Sequence, residues 1–429
     1  MDSSAAGPIT DSNKPMLNRI IQPHSIIITV LIFLFIWLLN LIRLNMHYIA
    51  PFNNGLKNYE ITDIVYAYLS DSSRQQPLRT QDLLLVDIGK PDRGRIARLI
   101  DRLREAGAAA IGVDVLLKAS TVSPADSFLQ AVIQRTPNLV LACEVDQVNA
   151  QGTKFEQWKG VDTAFANYST LGYVNFPANQ TRVICHFSPQ ELVGADTLPA
   201  FTTALLQIYA PGKATKLLKR NKPVERIHYT GTQYAFPRQE QDRLLDSMSL
   251  EEVRSVVHGK MVLLGYLPAP YEGEPLKDRH YTPLNPSYTN RAIPDMYGLA
   301  IHANVLNMAL EEQFVRELPS WINVILLAIF GYLNVLLIHW IYDDFNEVFH
   351  GITRALQLVE FILLFFLIAL LFHYFRIKLD FGVGILALLL AYDLIMIYES
   401  LIRRRLPWLD RIPEVIPLRP TPAALEEEE

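Results

Sequence analysis

Long apolar segments and shorter periodic segments alternate along this 429-residue chain. Four apolar runs are close to the ~20 residues that a helix needs to cross a bilayer, so the pattern predicts four membrane-spanning helices. These are residues 26–46, 319–342, 358–375 and 381–400. No small-residue cleavage site follows the first run, and we therefore expect it to remain as an anchor. One large segment, residues 47–318, stands between the first span and the other three.

Strand and helix patterns alternate within residues 47–318. The runs DLLLVDI, AAIGVDVLL and NLVLACEV are continuously apolar, as is typical of strands buried on both faces. Helical spacing follows the first run, at Ile96, Leu99, Ile100 and Leu103. Ser123 is the predicted N-cap of the next helix, with Phe128 and Ile133 facing inward. The alternation predicts an α/β domain with a largely parallel, mixed sheet, inserted between one N-terminal and three C-terminal membrane helices.

The remaining segments are polar. Residues 1–25 have the composition of a disordered N-terminus, residues 343–357 form a predicted loop, and residues 401–429 form a short tail with prolines and glutamates that cannot bury a core. Lys14 and Arg19 precede the first span, and three consecutive arginines follow the last. Since positive residues collect on the cytoplasmic side, we expect both termini in the cytoplasm and the large segment outside it.

Composition and motifs narrow the function. The formal net charge is −5 and no basic face recurs, so we expect no nucleic-acid partner. Cys143 and Cys185 are too few for a disulfide framework or a zinc site. We expect two free, buried thiols, although a single pair between them stays open. The chain has no glycine-rich phosphate loop, serine elbow or HExxH motif, so we expect no enzyme activity, no catalytic residue, no cofactor and no metal site.

Three acidic residues are placed to meet at one edge of the predicted sheet. Asp87 and Asp114 end or interrupt two strands, and Glu144 lies near the end of a third. Ligands of open α/β sheets bind outside the carboxyl ends of the strands. These carboxylates are therefore candidates for binding a cation or a cationic ligand, or for acid–base chemistry. The alternative is that they cap helices and loop amides.

A second group of candidates lies in the loop DRHYTPL. Asp278, His280 and Thr282 are predicted to contribute to a ligand pocket or a metal site there, although one histidine and one aspartate do not define a metal centre. The alternative is a loop that packs over the sheet through its tyrosine and proline.

The segment YGLAIHANVLNMAL is the last predicted helix before the second span. At 100° per residue, Asn304, Asn307 and Glu311 fall on one narrow face, and His302 lies opposite them among apolar residues. We therefore expect His302 to point into packing. It is either a core histidine hydrogen-bonded to a carbonyl or a pH sensor, because a buried imidazole changes charge near neutrality.

Four polar residues occur within the predicted spans. Asn334, His339, Glu360 and Asp393 all fall in the expected cytoplasmic half of the membrane. Such residues are costly in lipid and usually face a partner. They either form hydrogen bonds that hold the helices together or form a coupling surface for another membrane protein.

The large segment resembles a known sensory module. LLLVDIGKPDRGRIARLIDRLREAGAAAIGVDVLL, SPADSFLQAVIQRTPNLVLACEV, LGYVNFPANQTRVICHF and RIHYTG occur in the order of the CHASE type-two domain, an extracellular sensory domain of bacterial receptors. GKMVLLGYL, DRHYTPLN and IPDMYGLAIHANVLNMAL are similar to its close. The resemblance implies a receptor in the bacterial inner membrane, with a periplasmic sensor domain and a homodimeric or higher oligomeric state.

The sequence also departs from that family. Its first strand leads into a short GKPDRG loop, and ANQTR replaces the usual acidic turn of the middle hairpin. Members usually carry an output domain after the last span, whereas only about 30 residues follow here. We therefore expect a sensor that passes its signal to a separate membrane or cytoplasmic partner. The alternative is a non-enzymatic scaffold subunit of an envelope complex.

Overall fold

A computed structural model describes the greater part of the chain and divides it into two compact units. The helical unit consists of Met1–Tyr48, Glu317–Leu370 and Ile377–Glu429, and the α/β unit consists of Ile49–Arg316 and Leu371–Arg376. The described residues are 22–41, 65–66, 82–90, 92–118, 123–149, 151–177, 183–268, 278–285, 293–344, 349–379 and 381–412. Most of the predicted N-terminal segment and tail lies outside them.

The elements follow one another in this order. They are α1 (Pro23–Leu41), β1 (Leu83–Asp87), α2 (Arg93–Glu105), β2 (Ala110–Val113), α3 (Pro124–Gln134), β3 (Leu139–Val148), β4 (Phe155–Lys159), α4 (Thr163–Ala166), β5 (Thr170–Tyr173), β6 (His186–Phe187), β7 (Gln190–Val193), β8 (Asp196–Pro199), α5 (Phe201–Tyr209), α6 (Pro211–Lys219), β9 (Glu225–Arg226), β10 (Arg238–Glu240), α7 (Leu250–Val257), β11 (Met261–Gly265), β12 (Arg279–His280), β13 (Met296–Tyr297), α8 (Gly298–Leu310), β14 (Arg316–Glu317), α9 (Ser320–Asp344), α10 (Phe349–Phe375), β15 (Ile377–Lys378), α11 (Gly382–Ile397) and α12 (Arg403–Arg405).

Within the described residues, a mixed sheet of nine strands forms the centre of the α/β unit, which confirms the predicted α/β domain with a largely parallel sheet. Its parallel part runs in the order β10–β1–β11–β2–β3–β5. The long strand β3 then changes partners. Its first half pairs with β5 in parallel, and its second half pairs with β4 in antiparallel. Strand β7 pairs with β4 in parallel, and β8 pairs with β7 in antiparallel.

Helices cover the sheet because their apolar residues recur at helical spacing. The four predicted inward residues of α2 are fully buried. Helix α3 begins at a capping box, in which Ser123 and Asp126 each accept a hydrogen bond from the other's backbone N–H. The inward prediction for Phe128 is wrong, since it is 39% exposed. Leu129 is buried in its place and starts an i, i+3, i+4 stripe with Val132 and Ile133.

Among the described residues of the helical unit, three helices are long and apolar enough to cross a membrane, by length and composition. They are α9, α10 and the helix that begins at Gly382. Helix α1 is a shorter apolar helix whose Ile28, Ile32 and Ile36 are buried in one core with residues of α9 and α11. This core contains the large buried side chains Val335, Ile338, Ile341, Ile395 and Tyr398.

Helix α10 begins at Phe349, so most of the predicted loop 343–357 is helical. Its first turns carry the polar residues His350, Thr353, Arg354 and Gln357, and side chains of this group have partners on α11. Arg354 pairs with Asp393 at 3.1 Å, and the Gln357 Nε2 donates to the Leu388 carbonyl at 2.9 Å. These contacts stabilise the polar N-terminal part of α10. The hydropathy pattern alone predicts that this helix begins near residue 358.

Candidate functional site

Polar and aromatic side chains gather near the carboxyl ends of the central strands. We call this group the strand-end cluster: Asp114, Phe176, Asp278, His280 and His302. Asp114 directly follows β2, and Phe176 follows β5. The Phe176 ring centroid lies 4.9 Å from that of His302 and 6.0 Å from that of His280. The structure therefore brings together one strand-end carboxylate, the loop DRHYTPL and helix α8.

His302 points into packing, as the helical wheel predicts. It is only 5% exposed and stacks on Phe176 with an interplanar angle of 23°. Its ring centroid lies 5.4 Å from that of Phe201, in an edge-to-face arrangement. The expected hydrogen bond to a carbonyl is absent among the described residues, because aromatic rings occupy the space beside the imidazole. Burial, together with the nearby His280, lowers the pKa of His302 to about 3. The imidazole is therefore neutral throughout the physiological pH range.

Two glycines allow Phe201 to reach this position. A Cβ added at Gly172 would lie 2.5 Å from the Phe201 Cα, and one added at Gly112 would lie 2.7 Å from the tip of its ring. Both glycines are inside buried strands, where a glycine often marks the close approach of another part of the chain. A glycine within an apolar strand is therefore the sequence signal that indicates an aromatic residue packed on the sheet. It occurs in AAIGVDVLL and in LGYVNF.

The two carboxylates of the cluster differ in their surroundings. Asp114 is partly buried, and its backbone N–H donates to the Leu264 carbonyl at 2.8 Å. Burial raises the pKa of Asp114 to about 7, and the neighbouring Asp278 contributes to this rise. Asp278 is exposed and has a left-handed backbone with φ of 65°. Its carbonyl accepts a hydrogen bond of 3.3 Å from Gly298, which ties the loop to the start of α8.

His280 lies between these groups on β12. It is partly buried, and burial lowers its pKa although the Asp278 carboxylate opposes the shift. No hydrogen bond to the side chain of Asp114, Asp278, His280 or His302 is present within the part of the chain that the structure describes. These four predicted residues all belong to the strand-end cluster. Because none of their side chains has a hydrogen bond among the described residues, all four have open hydrogen-bonding capacity.

The other predicted ligand-binding residues are used differently. The Asp87 carboxylate accepts backbone hydrogen bonds from Gly89 and Leu267, each of 3.0 Å, so it holds loop amides. Thr282 is fully buried, and its hydroxyl donates to Asp295. Burial raises the pKa of Asp295 to about 6. Asp295 is a structural carboxylate of this loop that sequence patterns do not indicate.

Glu144 and the cysteines also lie apart from the cluster. Glu144 stands opposite Lys159 in the β3–β4 pair, and no hydrogen bond or ion pair joins it to the cluster among the described residues. Cys143 and Cys185 are both buried and form no disulfide among the described residues, and burial raises the pKa of Cys143 to about 12. Within the described ranges, no group of three or more histidine, cysteine, aspartate or glutamate residues is arranged to hold a metal ion.

The polar face of α8 is buried and holds a neighbouring segment. Asn304 Oδ1 accepts hydrogen bonds from the backbone N–H groups of Thr230 (2.9 Å) and Gly231 (3.2 Å). Asn304 Nδ2 donates to the Gly231 carbonyl at 3.0 Å, and Asn307 Nδ2 donates to the Thr230 hydroxyl at 3.0 Å. Helix α8 is thus fixed on two sides, by aromatic rings at His302 and by amide hydrogen bonds at Asn304.

The four predicted polar residues of the membrane helices all have partners within the helical unit. Asn334 Nδ2 donates to Glu360 at 2.6 Å, and Asp393 pairs with an arginine as described above. His339 Nδ1 lies 3.3 Å from the hydroxyl of Ser25. These contacts join α9 to α10, α10 to α11 and α1 to α9.

A further polar contact joins the first and last of these helices. His24 Nδ1 lies 2.7 Å from the Tyr398 hydroxyl, and both side chains are buried. Sequence patterns do not indicate this pair, because both residues lie at the ends of apolar runs where polar residues are ordinary.

The fold and the cluster together describe an α/β domain joined to apolar helices. A family model, the CHASE2 domain, matches residues 30–338. The chain therefore belongs to the CHASE2 family, whose domains are sensory and extracellular. No curated protein matches the chain. No solved structure matches it either.

Proposed function

We propose that this protein is a membrane-anchored, non-enzymatic sensor that detects an envelope or external signal and passes it to a separate protein. The strand-end cluster is the observation that carries this proposal. It combines four polar side chains with open hydrogen-bonding capacity at the carboxyl edge of a parallel sheet, where α/β proteins bind ligands. Membership in a sensory family supports the same conclusion.

The proposed route of the signal is the chain from α8 to α9. Helix α8 carries His302, a member of the cluster, and is almost entirely buried. Only residues 311–319 separate the end of α8 from α9, the first membrane-length helix after the sensor domain. A ligand that shifts α8 at His302 would therefore displace the start of α9. The hydrogen bonds of Asn304 give α8 a defined resting position from which to move.

The proposed topology follows the basic residues beside the spans. Both termini would be cytoplasmic and the α/β domain periplasmic, in a bacterial inner membrane. A homodimer or higher oligomer is the expected state, because symmetric homo-oligomers are the commonest assemblies. The proline- and glutamate-containing sequence after Leu406 would offer a partner an extended segment on the cytoplasmic side.

A pull-down in mild detergent tests the proposal. The full-length protein and a form truncated after Leu406 are expressed at equal levels, and bound proteins are identified by mass spectrometry. A signalling enzyme recovered with the full-length form and lost on truncation would support a sensor with a separate output. Envelope or secretion components recovered equally with both forms would indicate a scaffold subunit instead. Recovery of the bait alone, after crosslinking in cells, would contradict a separate partner.

A further inference from the structure

We propose that the strand-end cluster binds a small organic ammonium ion. This inference rests on the proposed sensor function and names the chemical class of its ligand. The argument combines the charge of the cluster, its open hydrogen-bonding groups and the position of an aromatic ring among them.

The cluster has acidic groups without a matching cation. Neither Asp114 nor Asp278 has an ion-pair partner in the part of the chain that the structure describes. Arg279 is next to Asp278 in sequence, but its guanidinium lies 4.7 Å from the ring centre of Tyr297. A cationic ligand would supply the missing charge, above all at the half-buried Asp114, because a carboxylate removed from water is stable only when paired or protonated.

The two histidines offer neutral acceptors. Burial keeps the imidazoles of His280 and His302 uncharged, and a neutral imidazole has one nitrogen that accepts a hydrogen bond. His302 is 5% exposed, and neither of its nitrogens has a hydrogen-bond partner among the described residues. An N–H donor on the ligand would give one of these nitrogens a partner.

The arrangement favours an organic cation over a metal ion. Phe176 contacts both imidazoles, so the potential donors surround a ring instead of converging on one point. No described group of histidine and acidic side chains has the arrangement of a metal site. A protonated amine needs no such convergence, because its charge is attracted by an aromatic ring as well as by carboxylates.

Binding should depend on pH through Asp114. Asp278, at the start of the DRHYTPL loop, is the titratable group whose charge acts on Asp114. The other titratable members of the cluster, His280 and His302, have lowered pKa values and stay neutral near pH 7. The pKa of Asp114 is about 7, so its carboxyl is mostly charged at pH 8 and mostly protonated at pH 6. Because a proton competes with the cation, we expect affinity about tenfold weaker at pH 6 than at pH 8.

Calorimetric titration of the full-length protein in a non-ionic detergent tests this proposal. The probes are ethylamine, ethanolamine and putrescine, with 1,4-butanediol as the uncharged analogue of putrescine and Zn²⁺ as the metal. The variant is Asp114→Asn. The matched control is Asp87→Asn, which removes a charge at the same sheet edge while its Oδ1 keeps both loop amides. Circular dichroism verifies that each variant is folded.

We expect at least one amine to bind once per chain at pH 8, with affinity at least tenfold lower in Asp114→Asn and unchanged in Asp87→Asn. The diol should give no heat of binding. The proposal is overturned if no amine saturates the folded protein, if Asp114→Asn binds as well as wild type, or if only Zn²⁺ binds. Amine binding without a recovered partner in the pull-down would support the proposed ligand class and contradict the proposed separate partner. A recovered partner without amine binding would support the separate partner and contradict the ligand class.

Discussion

Asn304 offers the sharpest test of how α8 is held. Its side-chain amide makes both an acceptor and a donor contact with the Thr230–Gly231 backbone, and a donor contact of 2.9 Å with Ala300. In the variant Asn304→Ala, three backbone groups lose their side-chain partner: the N–H of Thr230, which is only partly buried, and the N–H and C=O of Gly231, which are buried. We predict that the segment around Gly231 becomes much easier to open.

The magnitude follows from the number of groups left unpaired. Each buried donor or acceptor without a partner costs about 1–3 kcal/mol. Two such groups at Gly231, with part of the cost relieved by relaxation, give an expected loss of about 3 kcal/mol. The matched variant is Asn307→Ala, which removes a bond to a hydroxyl that can rotate toward another acceptor. We expect it to cost about 1 kcal/mol.

Hydrogen exchange followed by mass spectrometry measures this locally in the detergent-purified protein. A loss of about 3 kcal/mol corresponds to exchange about a hundredfold faster in peptides covering residues 228–233. The Asn307 variant should change the same peptides by less than tenfold. Equal effects of the two variants, or no change in either, would refute the conclusion that the Asn304 amide anchors this segment.

Three further predictions concern other parts of the α/β unit. Gly172→Ala should destabilise the domain by about 1–3 kcal/mol, since its Cβ would overlap the Phe201 backbone, whereas Gly212→Ala, which meets open space, should lower the thermal midpoint little or not at all. Ser123→Ala removes a capping box and should cost about 1 kcal/mol in urea unfolding; an unchanged midpoint would argue against the cap. His302→Gln should weaken the loss of stability between pH 8 and pH 5, by about 2 kcal/mol, because the unfolded wild type takes up a proton below its ordinary pKa of 6.5 whereas the folded imidazole, with a pKa of about 3, does not. A folded-state titration of His302 by NMR near pH 6.5 would show that reasoning to be wrong.

The parallel core of the fold could be predicted from local patterns, but its strand order could not. β1, β2, β3 and β11 lie in continuous apolar runs, and this pattern alone predicts each of them as a buried strand. β10 is the three-residue strand Arg238–Glu240, which has no apolar residue, yet it pairs with β1 at the edge of the sheet. A strand of this kind forms because β1 has free backbone N–H and C=O groups along that edge with which it can pair. No periodicity in its own sequence indicates it.

The site could be predicted in part for a similar reason. Asp87 and Asp114 have nearly the same local sequence, each following an apolar strand. They differ because the backbone N–H of Leu267 reaches Asp87, and no described group provides a hydrogen bond to the Asp114 carboxyl. The inward direction of His302 follows from helical geometry, but its partner, Phe176, comes from a distant strand end. Long-range contacts of this kind determine the chemistry of the cluster, and a single sequence does not reveal them.

The position of β1 between β10 and β11 has a consequence for how the protein is made. The hydrogen bond from Leu267 to Asp87 joins residues 180 positions apart, and both neighbours of β1 are synthesised long after it. Until then β1 is an apolar strand with two unpaired edges, which favours aggregation. The sheet therefore closes late, when β11 arrives. Residues 266–297 separate that strand from α8, so the helix that precedes α9 can pack on the complete sheet only after β11 has been synthesised.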